Sequence, residues 1–178
     1  MKKFISGMAL AVAAVSAFAA PAPSASLTTS GATFAEFTGT TVGSNDINVN
    51  NTLFWMYEGS NLGFNSYLLM FDPLSNGSMA GSVSFSGNIA YVASAKLALV
   101  GTDFLFGKPG VTYDWKANSG LEAADSFSVT GNTLTLSWTG ASPGDNIRVL
   151  TAVPEPESYA MFLAGLCLVG AMVRRKSI

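Results

Sequence analysis

The sequence predicts an all-β fold: an antiparallel β-sandwich or jelly-roll-like ectodomain. Three observations lead there. Only 11% of the 178 residues are charged, against roughly 25% in an average soluble protein, and Gly, Ser, Thr and Asn fill the gap. That palette suits strands and turns, because β-branched and aromatic side chains fit a pleated, half-buried surface. Period-two alternation recurs along the middle of the chain, and no long amphipathic helix interrupts it.

The N-terminus comes first. "MKKFISGMALAVAAVSAFAA" begins with Lys2 and Lys3, runs through an apolar stretch and reaches the small-x-small pattern Ala17-Phe18-Ala19. Basic start, apolar core and small-residue cleavage site define a secretory signal peptide, here residues 1–19. Pro21 and Pro23 then give the following segment an extended start.

From residue 20 to 152 the strands follow one another. "TLFWMY", "NSYLLMF" and "IAYVAS" read as strands; "AKLALV" allows a helical turn, but its flanking glycine and short length favour another strand. "GSVSFSG" sets Val83 and Phe85 against serines. "DSFSVTG" does the same with Phe127 and Val129, and "NTLTLSWTG" with Leu134, Leu136 and Trp138. Each predicts a strand with one dry face. Gly131-Asn132 joins the last two as a hairpin whose two-residue turn demands positive φ. "SPGD" at Ser142 to Asp145 predicts a β-turn before a final strand, "NIRVLT". Nine or ten such strands in ~130 residues make a sandwich with enough burial to stand without disulfides.

Composition excludes several function classes. The single cysteine, Cys167, lies in the terminal apolar run, so no intramolecular disulfide can form. Histidine is absent, which removes the usual general base, the usual partner of a serine nucleophile and the commonest zinc ligand. Residues 20–152 carry nine acids and four bases, a net charge of −5. Nucleic acid requires a basic face, so it is not an expected partner.

Four patterns bear on chemistry. Asp46, Asn48 and Asn50 alternate like the start of an EF-hand loop, but Asn51 stands where glycine is required and Tyr57 where the bidentate acid belongs. That stretch reads as a turn-rich entry to a strand. No cofactor is expected; a weak calcium site using loop acids such as Asp103, Asp114 or Asp125 has no supporting ligand spacing. Glu58, Asp72, Glu122 and Asp125 could serve as paired carboxylates in glycoside cleavage, although solvated surface acids account for them as well. Trp115, in the polar loop "YDWKANSG", is the candidate for an exposed ring that stacks on a sugar, whereas Trp138 belongs to the core.

The C-terminus closes the chain with "VPEPESYAMFLAGLCLVGAMVRRKSI". Tyr159 to Val173 is 15 residues without a charge, about 22 Å as a helix against a hydrocarbon core of about 30 Å. Snorkelling by Arg174, Arg175 and Lys176 covers such a deficit, and the same triplet stops transfer and holds the end in the cytoplasm. A short transmembrane helix of this kind suits a temporary anchor.

The order of Val153, Pro154, Glu155 and Pro156, then an apolar helix with Gly165 and Gly170, then Arg174 to Lys176, resembles the PEP-CTERM sorting signal of Gram-negative bacteria that make exopolysaccharide. The resemblance covers residues 153–178. It implies export by the general secretion machinery, transient residence in the inner membrane, and recognition of the Pro-Glu-Pro element by a membrane-embedded exosortase. It further implies removal of the helix, with delivery to the cell surface or outside the cell. The intervening sequence resembles PEP-CTERM ectodomains of unassigned activity. The expected role is a non-enzymatic structural or exopolysaccharide-associated component of the extracellular matrix; the alternative is a domain that binds or cleaves matrix carbohydrate.

Overall fold

The structure, a computed structural model, describes residues 21–43, 47–141, 143–153 and 164–166. The expected signal peptide with Ala17 and Ala19, the residues Pro154, Glu155 and Pro156, and the basic triplet Arg174, Arg175 and Lys176 lie outside them. Asp46 does too. Of the expected terminal helix only 164–166 is described, and it is helical. Among the described residues no helix is long and apolar enough to cross a membrane.

The described residues form eleven strands and one helix: β1 (Ser24–Leu27), β2 (Thr33–Glu36), β3 (Thr41–Val42), β4 (Thr52–Asn61), β5 (Phe64–Phe71), β6 (Gly77–Ser84), β7 (Ile89–Ala93), α1 (Lys96–Phe106), β8 (Thr112–Tyr113), β9 (Ser126–Thr130), β10 (Thr133–Gly140) and β11 (Asp145–Ala152). A four-stranded sheet runs β1-β6-β10-β9 and a five-stranded sheet runs β2-β4-β5-β11-β7, while β3 and β8 pair separately. Most pairings are antiparallel. Contrary to the uniformly antiparallel expectation, β2–β4 and β3–β8 are parallel, each over four residue pairs or fewer.

One core joins the two large sheets. Met79, Val83, Leu134, Leu136 and Trp138 from the four-stranded sheet share a buried cluster with Leu53, Tyr67, Leu69, Phe71, Ile147 and Val149 from the five-stranded sheet. The alternation read from "NTLTLSWTG" is the alternation observed, with Leu134, Leu136 and Trp138 inside. Its hairpin partner departs from expectation. Strand β9 is an edge strand, and Phe127 and Val129 stay 36% and 40% exposed, because no strand lies beyond them to close a dry face. Gly131 alone of the turn pair takes positive φ (60°), the pattern of a type II′ turn. The later turn sits one residue before its expected place, closed by Gly144 N–H donating to the Ala141 carbonyl.

The main departure is the segment beginning "AKLALV". It is helical, not extended, and covers the outer face of the five-stranded sheet. Leu99 packs there with Met56, Leu68, Met70, Ala93 and Trp115 in a second buried cluster. The helix hides its own periodicity, since Leu97 and Phe104 on its outer side are more than four-fifths exposed. With apolar residues on both sides no 3.6-residue stripe stands out. Covering both faces also explains why β5 and β11 are buried along nearly their whole length, as strands between two layers must be.

Gly81 is a close backbone approach within the four-stranded sheet. Its φ is +149°, and a Cβ there would lie 2.5 Å from the Ser26 carbonyl oxygen and 2.6 Å from Leu27 Cα across the β1–β6 pair. Neither obstacle can rotate away. Gly81→Ala is therefore expected to lower unfolding stability by about 2–3 kcal/mol, read as a drop in urea midpoint at unchanged m-value.

Candidate functional site

The polar centre of the fold lies under α1. Arg148, in the middle of β11, points to the outer face of its sheet because Ile147 and Val149 point inward to the core. On the neighbouring strands the same face carries Leu68, opposite Arg148 in register, and Met56 beyond it. A guanidinium here has no water to meet. Its side chain is fully buried, as is that of Glu58.

The chain answers with a complete set of acceptors. Nε donates to Glu58 Oε2 at 2.7 Å and Nη2 to Glu58 Oε1 at 2.8 Å, a bidentate pair. Nη2 also reaches Asp103 Oδ1 at 2.8 Å, and Nη1 donates to the Leu99 carbonyl at 3.0 Å and to Thr102 Oγ1 at 2.5 Å. All five donor positions of a guanidinium are used. Three of these partners come from one turn of α1, which only helical spacing brings together. Glu58 arrives by a different device: the β4–β5 register shifts between Tyr57 and Gly59, so Glu58 is the extra residue of a bulge and its carboxylate is re-aimed.

The outer shell is equally filled. Glu58 Oε2 accepts from Ser66 Oγ and Oε1 from Tyr113 OH, both at 2.7 Å, and Tyr113 OH accepts from the Lys108 amide. The Tyr113 ring lies 5.4 Å from the guanidinium carbon. Burial, then the charge of Glu58, pushes the Tyr113 hydroxyl well above its ordinary range. For Arg148 burial acts to lower the pKa, but the bonds to Glu58 and Asp103 outweigh it and the net shift is upward. Arg148 stays charged. A shallow groove between the β4–β5 turn and the end of α1 passes Glu58, yet four donors occupy the carboxylate's four lone-pair directions. It has nothing left with which to take a proton from a substrate.

Trp115 corrects the expectation of an exposed ring. It is 8% exposed, packs in the helix-side cluster, and donates from Nε1 to Asp103 Oδ2 at 2.7 Å. The polar letters around it suggested solvent, but the loop folds back under α1. Its ring leans on Tyr113 at 5.6 Å between centroids. Stacking on a sugar is closed to it in this arrangement.

The acids singled out from sequence divide into three fates. Glu58 and Asp72 are buried, not solvated, and Asp103 serves Arg148 and Trp115. Asp114 pairs at the surface with Lys116. Glu122 and Asp125 meet Asp145, a residue that the sequence reading did not single out; an oxygen of each lies within 4.8 Å of the others. Burial, then the charges of Asp125 and Glu122, pushes Asp145 up to about 7. Since the folded chain holds that proton more tightly than the unfolded one, Asp145 costs stability increasingly as pH rises from 3.8 through about 7. The EF-hand-like stretch is a turn, with Asn48 and Asn51 at positive φ and Asn50 Oδ1 capping the Leu74 amide.

The chain leaves the sandwich at Val153, whose N–H donates to the Gly63 carbonyl beside the β4–β5 turn. Residues 152–176, from that point on, match the family model described as the PEP-CTERM protein-sorting motif. The chain ends in a PEP-CTERM sorting motif. Such a motif implies recognition by exosortase, and export with membrane anchoring followed by a surface or extracellular destination. Neither a curated protein nor a solved structure matches the chain significantly. The matched segment thus begins at Ala152, the last residue of β11.

Arg148→Met strands the buried Glu58 carboxylate without its counter-charge, and is expected to cost about 3–5 kcal/mol. Adding Glu58→Met removes the stranded charge, so the double variant should recover at least half of that loss in a denaturant melt.

Proposed function

We propose that this protein is a surface or matrix component, delivered by exosortase and working without catalysis, whose sandwich serves as a structural or exopolysaccharide-associated module. The observation that carries the reading is the PEP-CTERM match at residues 152–176, which follows directly on the last strand of the sandwich. Its components divide the work. The Pro-Glu-Pro element at Pro154 to Pro156 is the segment offered to exosortase; the apolar run holds the chain across the inner membrane; Arg174, Arg175 and Lys176 stop transfer until the tail is cut. Ala17 and Ala19 mark the cleavage that frees the other end.

The described side chains favour a structural role over a chemical one. The fully buried acid and base, Glu58 and Arg148, spend every hydrogen-bonding direction on each other and on their neighbours, and the ring nominated for sugar stacking is inside. A protein meant to persist outside the cell gains from such closure, because few polar groups are left to the fluctuations that expose a chain to proteases.

Mass spectrometry of the protein recovered from cells with and without exosortase tests the reading. With the enzyme, the recovered chain should begin at or near residue 20 and lack Arg174 to Ile178; without it, the basic end should remain and the protein should sediment with membranes. Deleting the gene should alter cell aggregation or the composition of the extracellular matrix. A mature extracellular form that keeps residues 174–178, or a deletion that leaves both properties unchanged, contradicts the proposal.

A further inference from the structure

Three carboxylates from separate parts of the chain meet at one end of the sandwich. Glu122 and Asp125 belong to the loop before β9, at the edge of the four-stranded sheet, and Asp145 opens β11 in the five-stranded sheet. An acidic cluster alone is commonplace on a protein surface. What distinguishes this one is Asp145, only 2% exposed and with Oδ2 lacking any hydrogen-bond partner. A buried ionised oxygen with no donor is among the costlier arrangements in a fold.

The cluster cannot relax by moving apart. Asp145 is fixed by its antiparallel pairing with Phe71. Asp125 is fixed by both oxygens, Oδ1 accepting the Thr139 amide at 2.7 Å and Oδ2 the Glu122 amide at 2.8 Å. Each of those oxygens keeps a further lone pair. Gly140 leaves room at the buried end, where a Cβ would stand 2.9 Å from Asp145 Oδ2. Glu122 is exposed and meets the cluster from the solvent side.

We propose that Glu122, Asp125 and Asp145 bind a calcium ion, which supplies the partner that Asp145 lacks and ties the loop before β9 to the start of β11. The donors are all carboxylate oxygens, the set suited to a hard cation. Oxygens that all lie within 4.8 Å of one another can share one ion with bonds of about 2.3–2.6 Å, and calcium's flexible shell suits ligands fixed by the fold better than the near-ideal octahedron that magnesium demands. Two ligands reached from the solvent side leave water to complete the shell. That gives the modest affinity of extracellular modules, a Kd of ~10⁻⁴–10⁻³ M. The ion thus staples the two sheets at the end where their strands part.

The test is calorimetric titration of the chelator-treated full-length protein with calcium chloride, and separately with magnesium chloride. One calcium per chain is expected, bound more tightly than magnesium. Asp145→Asn should weaken it by at least ~tenfold, and Glu122→Gln, an exposed change that leaves the core untouched, should weaken it measurably. The second variant keeps the test decisive if the first fails to fold. No saturable calcium binding up to about 10 mM, magnesium binding as tight as calcium, or unchanged affinity in either folded variant overturns the proposal.

Discussion

A guanidinium in the middle of a strand covered on both faces sets the terms for the rest of this fold. Arg148 could not be buried among Met56, Leu68 and Leu99 unless every donor found an acceptor, because the desolvation of an unpaired charge exceeds what a small domain's stability can absorb. The need for acceptors accounts for features that otherwise look unrelated. The bulge in β4 turns Glu58 toward the arginine, the helix supplies a carbonyl, a hydroxyl and a carboxylate from one turn, and Tyr113 and Trp115 hold the two acids from behind. The network fastens α1 and the loop that follows it to the sheet. Apolar packing alone would permit the helix several rotations; the three directed bonds from Arg148 to Leu99, Thr102 and Asp103 permit one.

How much of this was legible in the sequence follows from how local each signal is. Alternation with a two-residue glycine turn is local, and the hairpin of β9 and β10 emerged with its inward Leu134, Leu136 and Trp138 correct. Burial on both faces is not local. Nothing near Arg148 announces that a helix lies over it, so "NIRVLT" reads only as a final strand. The same blindness misplaced Trp115, whose polar neighbours face water while its ring does not. The helix itself was hidden by Leu97, Val100 and Phe104, apolar residues left outside, which blur the stripe that would have marked the segment. Glu58 and Asp72 read as surface acids because acids usually are; only the register shift in β4 sends Glu58 inward. The trio of Glu122, Asp125 and Asp145 was half visible, since its third member arrives from twenty residues further along the chain.

The division of labour in the molecule is correspondingly clear. The address is written in the linear sequence of the PEP-CTERM motif at residues 152–176. The delivered domain is the reverse case: its distinctive chemistry, an ion pair closed off from water, exists only when the tertiary structure is complete. The junction between the two is short, with the last bond of the sandwich at Val153 and the matched element beginning at its side.

The claim that Arg148 fastens the helix to the sheet is tested most directly by native-state hydrogen exchange along the wild-type chain. If it is right, the amides of Leu99 to Phe106 open only with those of β5 and β11, at the free energy of global unfolding. Helix amides that exchange orders of magnitude faster while the two strands stay protected would show that α1 lies on the sheet without being held there.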